Sequence, residues 1–329
     1  MSGTSFLPDA QAGSAARSSS TPVTLPGPTW PGVSSFVTTR QGGVSDAPFT
    51  SWNLGDHVGD DPARVAENRQ LLAALLPGAP LWLQQVHGTD VVDADAGAHV
   101  SADAGSDADA GAEVGSDADA GAEAGSDADA GAHASADASA SANAGASASA
   151  NTAGGAPIAS LHQVPCGDAA VTRTPGKVLA IMTADCLPVL LAACDGSVLA
   201  MAHAGWRGLA AGVLESTVKA MRSQGDGAAL RAWIGPAIGP SAFEVGDEVR
   251  ATFLADDPGA SACFRPSAAA HKWMADLPEL ARRRLHAVGV VDVELSGYCT
   301  VTDADRFFSY RRDGQTGRFA TVAWLHSET

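Results

Sequence analysis

Cys186 and His203 are the residues in this sequence best suited to chemistry. Both sit in the apolar run "IMTADCLPVLLAACDGSVLAMAHAGWRG", residues 181–208, where hydrocarbon side chains would pack better. A thiol beside an imidazole serves two chemistries. In nucleophilic catalysis the imidazole lowers the thiol pKa and the thiolate attacks a carbonyl. In metal ligation a thiolate and neutral imidazoles hold zinc and leave a fourth position open to water or substrate. A third ligand would favour the metal. His87 is the candidate, in the polar "QQVHG" beside a glycine that permits close approach, although spacing alone does not bring it to the other two. The competing reading makes Cys186 a small core residue and His203 a hydrogen-bonded structural one. His57, His99, His133, His162, His271, His286 and His326 show no evident partner.

The elements that must position these groups can be read around them. "LPVLLAAC-DG-SVLAMAHA" is a hairpin pattern, two apolar runs joined by Asp195-Gly196, the pair that suits a two-residue type I′ turn. With Cys194 opposite Ser197, Pro188 faces His203 and Cys186 faces Gly205, so Cys186 and His203 project from the same side of the sheet. Pro188 cannot donate a ladder hydrogen bond and is expected to disturb the pleat locally. "AGWRG" reads as a tight turn, and "LAAGVLESTVKAMRSQ" as a helix with Leu209, Val213 and Val218 facing inward. Upstream, "SSFVTTRQGG" reads as a strand ending in a glycine turn. "DDPARVAENRQLLAALL" reads as a helix capped by Asp60 or Asp61 with Pro62 in its first turn. "LWLQQVHGTDVV" is a strand broken at His87-Gly88.

The chain has 329 residues, enough to bury a sizeable core without disulfides. Its five cysteines are odd in number and include no CxxC pair, which fits a reducing, cytoplasmic setting better than a disulfide framework or zinc ribbon. Residues 1–28 lack the features of a signal peptide and read as a disordered tail, and no run approaches a membrane span. The remainder, residues 29–329, reads as one domain interrupted by an insertion at 93–156. In that insertion "GSDADAGAEV", "GSDADAGAEA" and "GSDADAGAHA" recur every ten residues, with almost no large apolar side chains to offset the entropy of ordering. Asp107, Asp109 and Gly111 echo the start of a calcium loop, but the later ligands are missing, so a solvated loop is expected. No partner of the repeat is indicated. Residues 93–151 hold 12 acidic residues and no Lys or Arg, so the formal charge of −17 falls to −5 elsewhere. Nothing resembles the basic face that nucleic acid requires.

A family resemblance rests on the ordered motifs "TTRQGGVS", "WNLGDHVGDDPARVAENR", "QQVHG", "TADCLPVLL", "AHAGWRG", "IGPAIGPSAFEVG", "GYCT" and "FFSYRRDGQTGR". Together they resemble the YfiH family, also called the laccase-domain or multicopper polyphenol oxidase family, from about Ser34 to Leu325 outside the repeat. The resemblance implies a mixed α+β fold of layered, packed β-sheets flanked by helices. It implies a catalytic zinc site of two histidines and one cysteine, which fall on His87, Cys186 and His203. Copper is also attached to the family, but a multicopper oxidase needs many histidine ligands and one compact set is visible.

The implied activities are phosphorolysis of adenosine, inosine, guanosine and methylthioadenosine, and deamination of adenosine. The family's description as peptidoglycan editing factors implies an alternative, a cysteine amidohydrolase acting on a muramyl peptide precursor, with Cys186 as nucleophile and His203 as base. A third reading is non-enzymatic and makes the acidic repeat the working surface. For phosphate, Arg40 beside Gly42-Gly43 offers a guanidinium and exposed backbone N–H groups. Arg311 and Arg312 are a second anion candidate, Asn53 could orient a substrate hydroxyl, and Trp206 with Arg207 could shape the pocket. The deaminase C-x-x-C motif is absent, so the paired H-x-E and C-x-x-C signature is not formed. Asp185 is the nearest carboxylate for proton transfer, although strand alternation points it away from Cys186. Cys299 is expected in the core.

Overall fold

The apolar run around the two chemical residues is long because its strands are covered on both faces. In a computed structural model, which describes residues 21–96, 98–100, 164–223 and 227–326, three sheets organise the chain. The first has the order β1 (Thr24–Pro26), β2 (Val33–Thr38), β15 (Phe319–Leu325), β7 (Val178–Thr183) and β3 (Pro80–Leu81). The second runs β14 (Asp292–Leu295), β10 (Leu230–Ile234), β8 (Leu187–Ala193), β9 (Leu199–Ala204), β6 (Ala169–Thr172), β4 (Val91–Asp93) and β5 (Ala98–Val100). A small third sheet holds β11 (Glu244–Gly246), β13 (Lys272–Ala275) and β12 (Phe264–Pro266). Pairs β3·β7, β4·β6 and β10·β14 are parallel and the rest antiparallel, so both large sheets are mixed.

Helices α1 (Pro62–Ala73), α2 (Trp206–Ala211), α3 (Val213–Arg222), α4 (Asp247–Asp256), α5 (Leu277–Ala287) and α6 (Tyr310–Asp313) complete the layers. Leu190 and Met201 of the second sheet meet Ile181 and Phe319 of the first in the layer between the sheets. On the other face of β8, Leu187, Val189 and Leu191 join Val213 and Val218 of α3 and Leu280 of α5. Outside the first sheet, Val178 and Val322 pack with Leu72 of α1. A strand with two dry faces has no reason to alternate polar residues. This is the expected α+β architecture.

Several local expectations need correction. The β8–β9 register is as predicted, with Pro188 opposite His203 and Leu187 opposite Ala204. The turn is not type I′, since only Gly196 has a positive φ of 78° and type I′ needs two such residues. Cys194–Ser197 form a four-residue loop in which Gly196 N–H donates to Ala193 C=O and Asp195 accepts from the Ser197 N–H and hydroxyl. Register survives because Ala193 still pairs with Val198.

"AGWRG" is not a turn. Gly205 caps α2, which starts at Trp206, and Gly212 at φ 99° divides α2 from α3. Leu209, Val213 and Val218 do face inward. Asp61 is the α1 cap and accepts from Ala63 N–H. Thr24–Pro26, inside the stretch expected as a tail, pairs with Phe36–Thr38, and β4 and β5 carry sheet into the stretch expected as insertion. Residues 1–20 and 101–163, with the repeat and its calcium-like positions, lie outside the described residues. Among the described residues no helix is long and apolar enough to cross a membrane.

Candidate metal centre

Three chain segments deliver the three side chains. Cys186 directly precedes β8, His203 lies near the end of β9, and His87 occupies the loop between β3 and β4 with φ 61°. One ligand atom from each lies within 4.8 Å of the others, the one such group of His, Cys, Asp and Glu side chains among the described residues. The Cys186 sulfur is 3.8 Å from His87 Nε2, and the two imidazoles meet edge to face at 4.7 Å between centroids. His203 is buried, Cys186 half-buried and His87 exposed, so the group opens to solvent on the His87 side.

Asp168 organises this group and was not found from the sequence. It is fully buried at the start of β6, the strand paired with β9. One carboxylate oxygen accepts from His203 Nδ1 at 2.8 Å and from the His87 backbone N–H at 2.9 Å. The other accepts from the backbone N–H groups of Val86 and Gly88, at 3.2 Å and 2.6 Å. The first bond holds the His203 proton on Nδ1 and leaves Nε2 for a metal, the usual outer-sphere device of metal histidines. The backbone bonds hold the left-handed turn that presents His87. Only the pairing of β6 with β9, which no local motif encodes, brings Asp168 to the site.

The charges support a ligand set. Burial alone would raise the Cys186 thiol, but the His203 and His87 imidazoles outweigh it and hold the thiol down at about 6. Burial alone would lower His203, and the Cys186 thiolate and Asp168 outweigh it, raising the imidazole to about 9. Asp168 is held low because His203 and the backbone donors overcome its burial. Each group therefore favours the charged form of the other, a thiolate on Cys186 and an imidazolium on His203.

Both shifts stabilise the fold, and their pH dependences oppose each other. The stabilisation from Cys186 is complete above the ordinary 9.0 and lost as pH falls towards about 6. That from His203 is complete below the ordinary 6.5 and lost as pH rises through about 9. Metal binding behaves differently, because a metal must displace the His203 proton. Zinc affinity is expected to rise about tenfold per pH unit between about 6 and about 9, and to fall more steeply below. Competition with a chromophoric chelator across that range checks this.

The floor of the site is a glycine for a steric reason. A Cβ on Gly205 would stand 2.9 Å from both the Cys186 sulfur and His87 Cδ2. Two imidazole nitrogens and a thiolate, with no Cβ at Gly205 to crowd them, fit zinc. Gly205→Ala is expected to abolish metal retention while far-ultraviolet dichroism stays native, measured by metal analysis after dialysis.

The other expected site residues divide. Asn53 is fully buried, and its amide donates to Gly55 C=O and Asp60 and accepts from the Gly55 and Arg318 N–H groups. Nothing is left for a substrate hydroxyl, so Asn53 is a structural node. Arg40 donates to the Thr50 and Ala304 carbonyls and lies 4.0 Å from Asp313, and the Gly42 and Gly43 N–H groups both point at the Ser51 hydroxyl. The donors expected to receive an anion there are engaged within the fold.

Arg207 is exposed and stacks on Trp206 at 4.7 Å, directly after Gly205. Arg311 is exposed, stacks on Phe243 at 5.3 Å and uses one NH group on Glu244 C=O. Arg312 instead braces the Thr300, Val301 and Phe307 carbonyls. Asp185 is engaged with Thr300 and Arg311 rather than with the three ligands. Cys299 is half-buried, with its sulfur accepting from Gly239 N–H, and is not a core residue. Of the histidines without an evident partner, His57, His271 and His326 pair with Asp56, Asp247 and Ser34.

Known proteins resemble this chain over most of its length. Residues 34–326 match the family described as multi-copper polyphenol oxidoreductase laccase. A purine nucleoside phosphorylase of Pseudomonas aeruginosa is 42% identical over 301 residues, covering 91% of this chain and 97% of its own. The purine nucleoside phosphorylase YfiH of Escherichia coli is 41% identical over 303 residues, with the same coverage. Among solved structures, a Neisseria meningitidis protein of family DUF152 superimposes with a TM-score of 0.68 at 35% identity, covering 93% of this chain and 100% of its own. YlmD from Geobacillus stearothermophilus gives 0.66 at 27% identity, covering 92% and 94%. With a family match over residues 34–326 and relatives more than 40% identical over 91% of it, this chain belongs to the YfiH-type laccase-domain family.

Proposed function

We propose that this protein is a zinc-dependent purine nucleoside phosphorylase that also deaminates adenosine. The observation that carries the proposal is the His87–Cys186–His203 group, ordered by one buried carboxylate and open on one side. The names of relatives more than 40% identical support the reaction class. Adenosine, inosine, guanosine and methylthioadenosine are the substrates. A phosphate oxygen attacks C1′ of the sugar, the C1′–N9 bond breaks, and the base leaves with its electron pair and takes up a proton. A zinc ion held by the three residues supplies a Lewis acid at this centre. Asp168 keeps His203 in the ligating tautomer, and His87 forms the exposed rim where substrate enters. Zinc suits one thiolate and two imidazoles better than the several copper centres of a polyphenol oxidase, for which the described residues offer a single ligand group.

Phosphate needs a cation, and of the three arginines proposed for an anion Arg311 is the least engaged within the fold. Its guanidinium is exposed and tethered at one NH group, with a free edge for bidentate contact, whereas Arg40 is braced within the fold. Arg311→Ala is expected to raise KM for phosphate about tenfold or more, at a charge-assisted bond's ~1.5–3 kcal/mol. Initial rates over a phosphate series check this.

The deciding experiment is mass spectrometry of products from a nucleoside panel, with and without phosphate and a chelator. Base plus sugar 1-phosphate, formed only with phosphate and lost on chelation, is expected. One observation favours a second reading: Cys186, His203 and Asp168 also form a thiolate, imidazole and carboxylate sequence suited to a nucleophilic amidohydrolase. That reading gains if chelated protein still cleaves muramyl amino-acid conjugates and nucleosides are left intact.

A further inference from the structure

Asp185 is a strained, half-buried residue that the reaction as described does not use. It has φ 109°, a region that side chains other than glycine rarely adopt, and it immediately precedes the Cys186 ligand. Strain of this kind persists only where surrounding contacts over-determine it. Here hydrogen bonds to both its backbone and its carboxylate do so. Its backbone carbonyl accepts from Ile238 N–H at 2.9 Å. One carboxylate oxygen accepts from the Thr300 hydroxyl, and the other from the backbone N–H of Arg311 at 2.7 Å. Thr300 is itself fully buried and donates its N–H to Ala237 C=O, so the anchor is rigid. Arg311 lies in the first turn of α6, whose cap Ser309 accepts from Arg312 N–H. A single carboxylate thus joins the residue beside a metal ligand to the backbone of the arginine whose guanidinium is tethered at Glu244 C=O.

We propose that Asp185 is a positioning residue that fixes Arg311 relative to the Cys186 ligand and thereby sets the affinity for phosphate; this rests on the phosphorylase reading above. The carboxylate touches neither the metal ligands nor the substrate. It acts through the α6 backbone, so its loss should loosen the guanidinium without removing a ligand. Asn in its place keeps the shape and tolerates positive φ better than most residues, but it carries no charge and presents an N–H to one of two donors.

The test uses full-length, zinc-loaded protein and inorganic phosphate as the probe. Titration calorimetry is expected to show phosphate affinity about tenfold weaker in Asp185→Asn and a few-fold weaker in Thr300→Val, which removes only the hydroxyl donor. Zinc content should stay near one per chain, and KM for phosphate should rise with little change in KM for nucleoside. In the double variant Asp185→Asn/Arg311→Ala, the second substitution should add little to the first, because both act on one contact. Unchanged phosphate binding in Asp185→Asn, full additivity in the double variant, or loss of zinc would each overturn the proposal. If wild-type protein neither binds phosphate nor needs it for turnover, the phosphorylase reading falls and takes this proposal with it. If wild type depends on phosphate and Asp185→Asn behaves identically, this proposal alone fails.

Discussion

Cys186→Ala should reduce zinc from about one ion per chain to almost none, and nucleoside turnover should fall at least about a thousandfold. The magnitude follows from the several kcal/mol of charge stabilisation that a Lewis acid contributes, at about 1.4 kcal/mol per tenfold. The fold should survive, because the side chain lost is small and half-buried at the end of a strand. Removing the thiolate also removes the charge that does most to favour the His203 imidazolium, so that imidazole should titrate lower in the variant. Metal analysis by plasma mass spectrometry, nuclear magnetic resonance of the histidine ring and steady-state rates read the three effects separately. A Cys186→Ala protein that keeps its zinc and turns over nucleosides would remove the basis of the proposed function.

Asp168→Asn is expected to have the second largest effect, on a residue that carries no chemistry itself. The carboxylate accepts four hydrogen bonds, two on each oxygen. An amide has only one oxygen. With its NH2 towards Val86 and Gly88, it sets donor against donor in the turn that presents His87. Turned the other way, it confronts the His87 N–H and forces His203 towards the wrong tautomer. Zinc affinity should therefore drop about 10- to 100-fold. Stability should fall by on the order of 3 kcal/mol, since buried donors lose their charged partner. Chelator competition and urea unfolding of the metal-free protein measure the two. Wild-type values in both would mean that the ligands are held by other contacts.

How much of this could be read in the chain depended on distance along it. The Cys186–His203 relation was legible because it lies within one hairpin, and a loop of two or four residues around Asp195 gives the same parity. The turn type was misread because a type I′ turn and the observed loop share the same Asp-Gly signature. His87 could not be joined by spacing, since β3 and β4 on either side of it belong to different sheets. Asp168 was invisible for a related reason, as its role follows from β6 lying against β9. Asn53 and Arg40 looked functional because polar residues beside glycine turns are. Their partners at Asp60, Arg318, Thr50 and Ala304 are set by tertiary packing. The α+β character was legible from apolar runs too long to have a wet face, although the sheet order was not.

The ladder around β4 has a practical consequence. Val91 is paired with Val100 on one side and with Ala169 on the other, so these three residues form one row across the sheet. Strand spacing puts the ends of that row about 10 Å apart, whatever number of residues the chain spends between Val100 and Val164. Closing a longer excursion costs only about 0.6 kcal/mol per doubling of its length. That stretch is therefore a natural splice point, where a reporter domain or a purification handle could be grafted without His87, Cys186 and His203 registering the change.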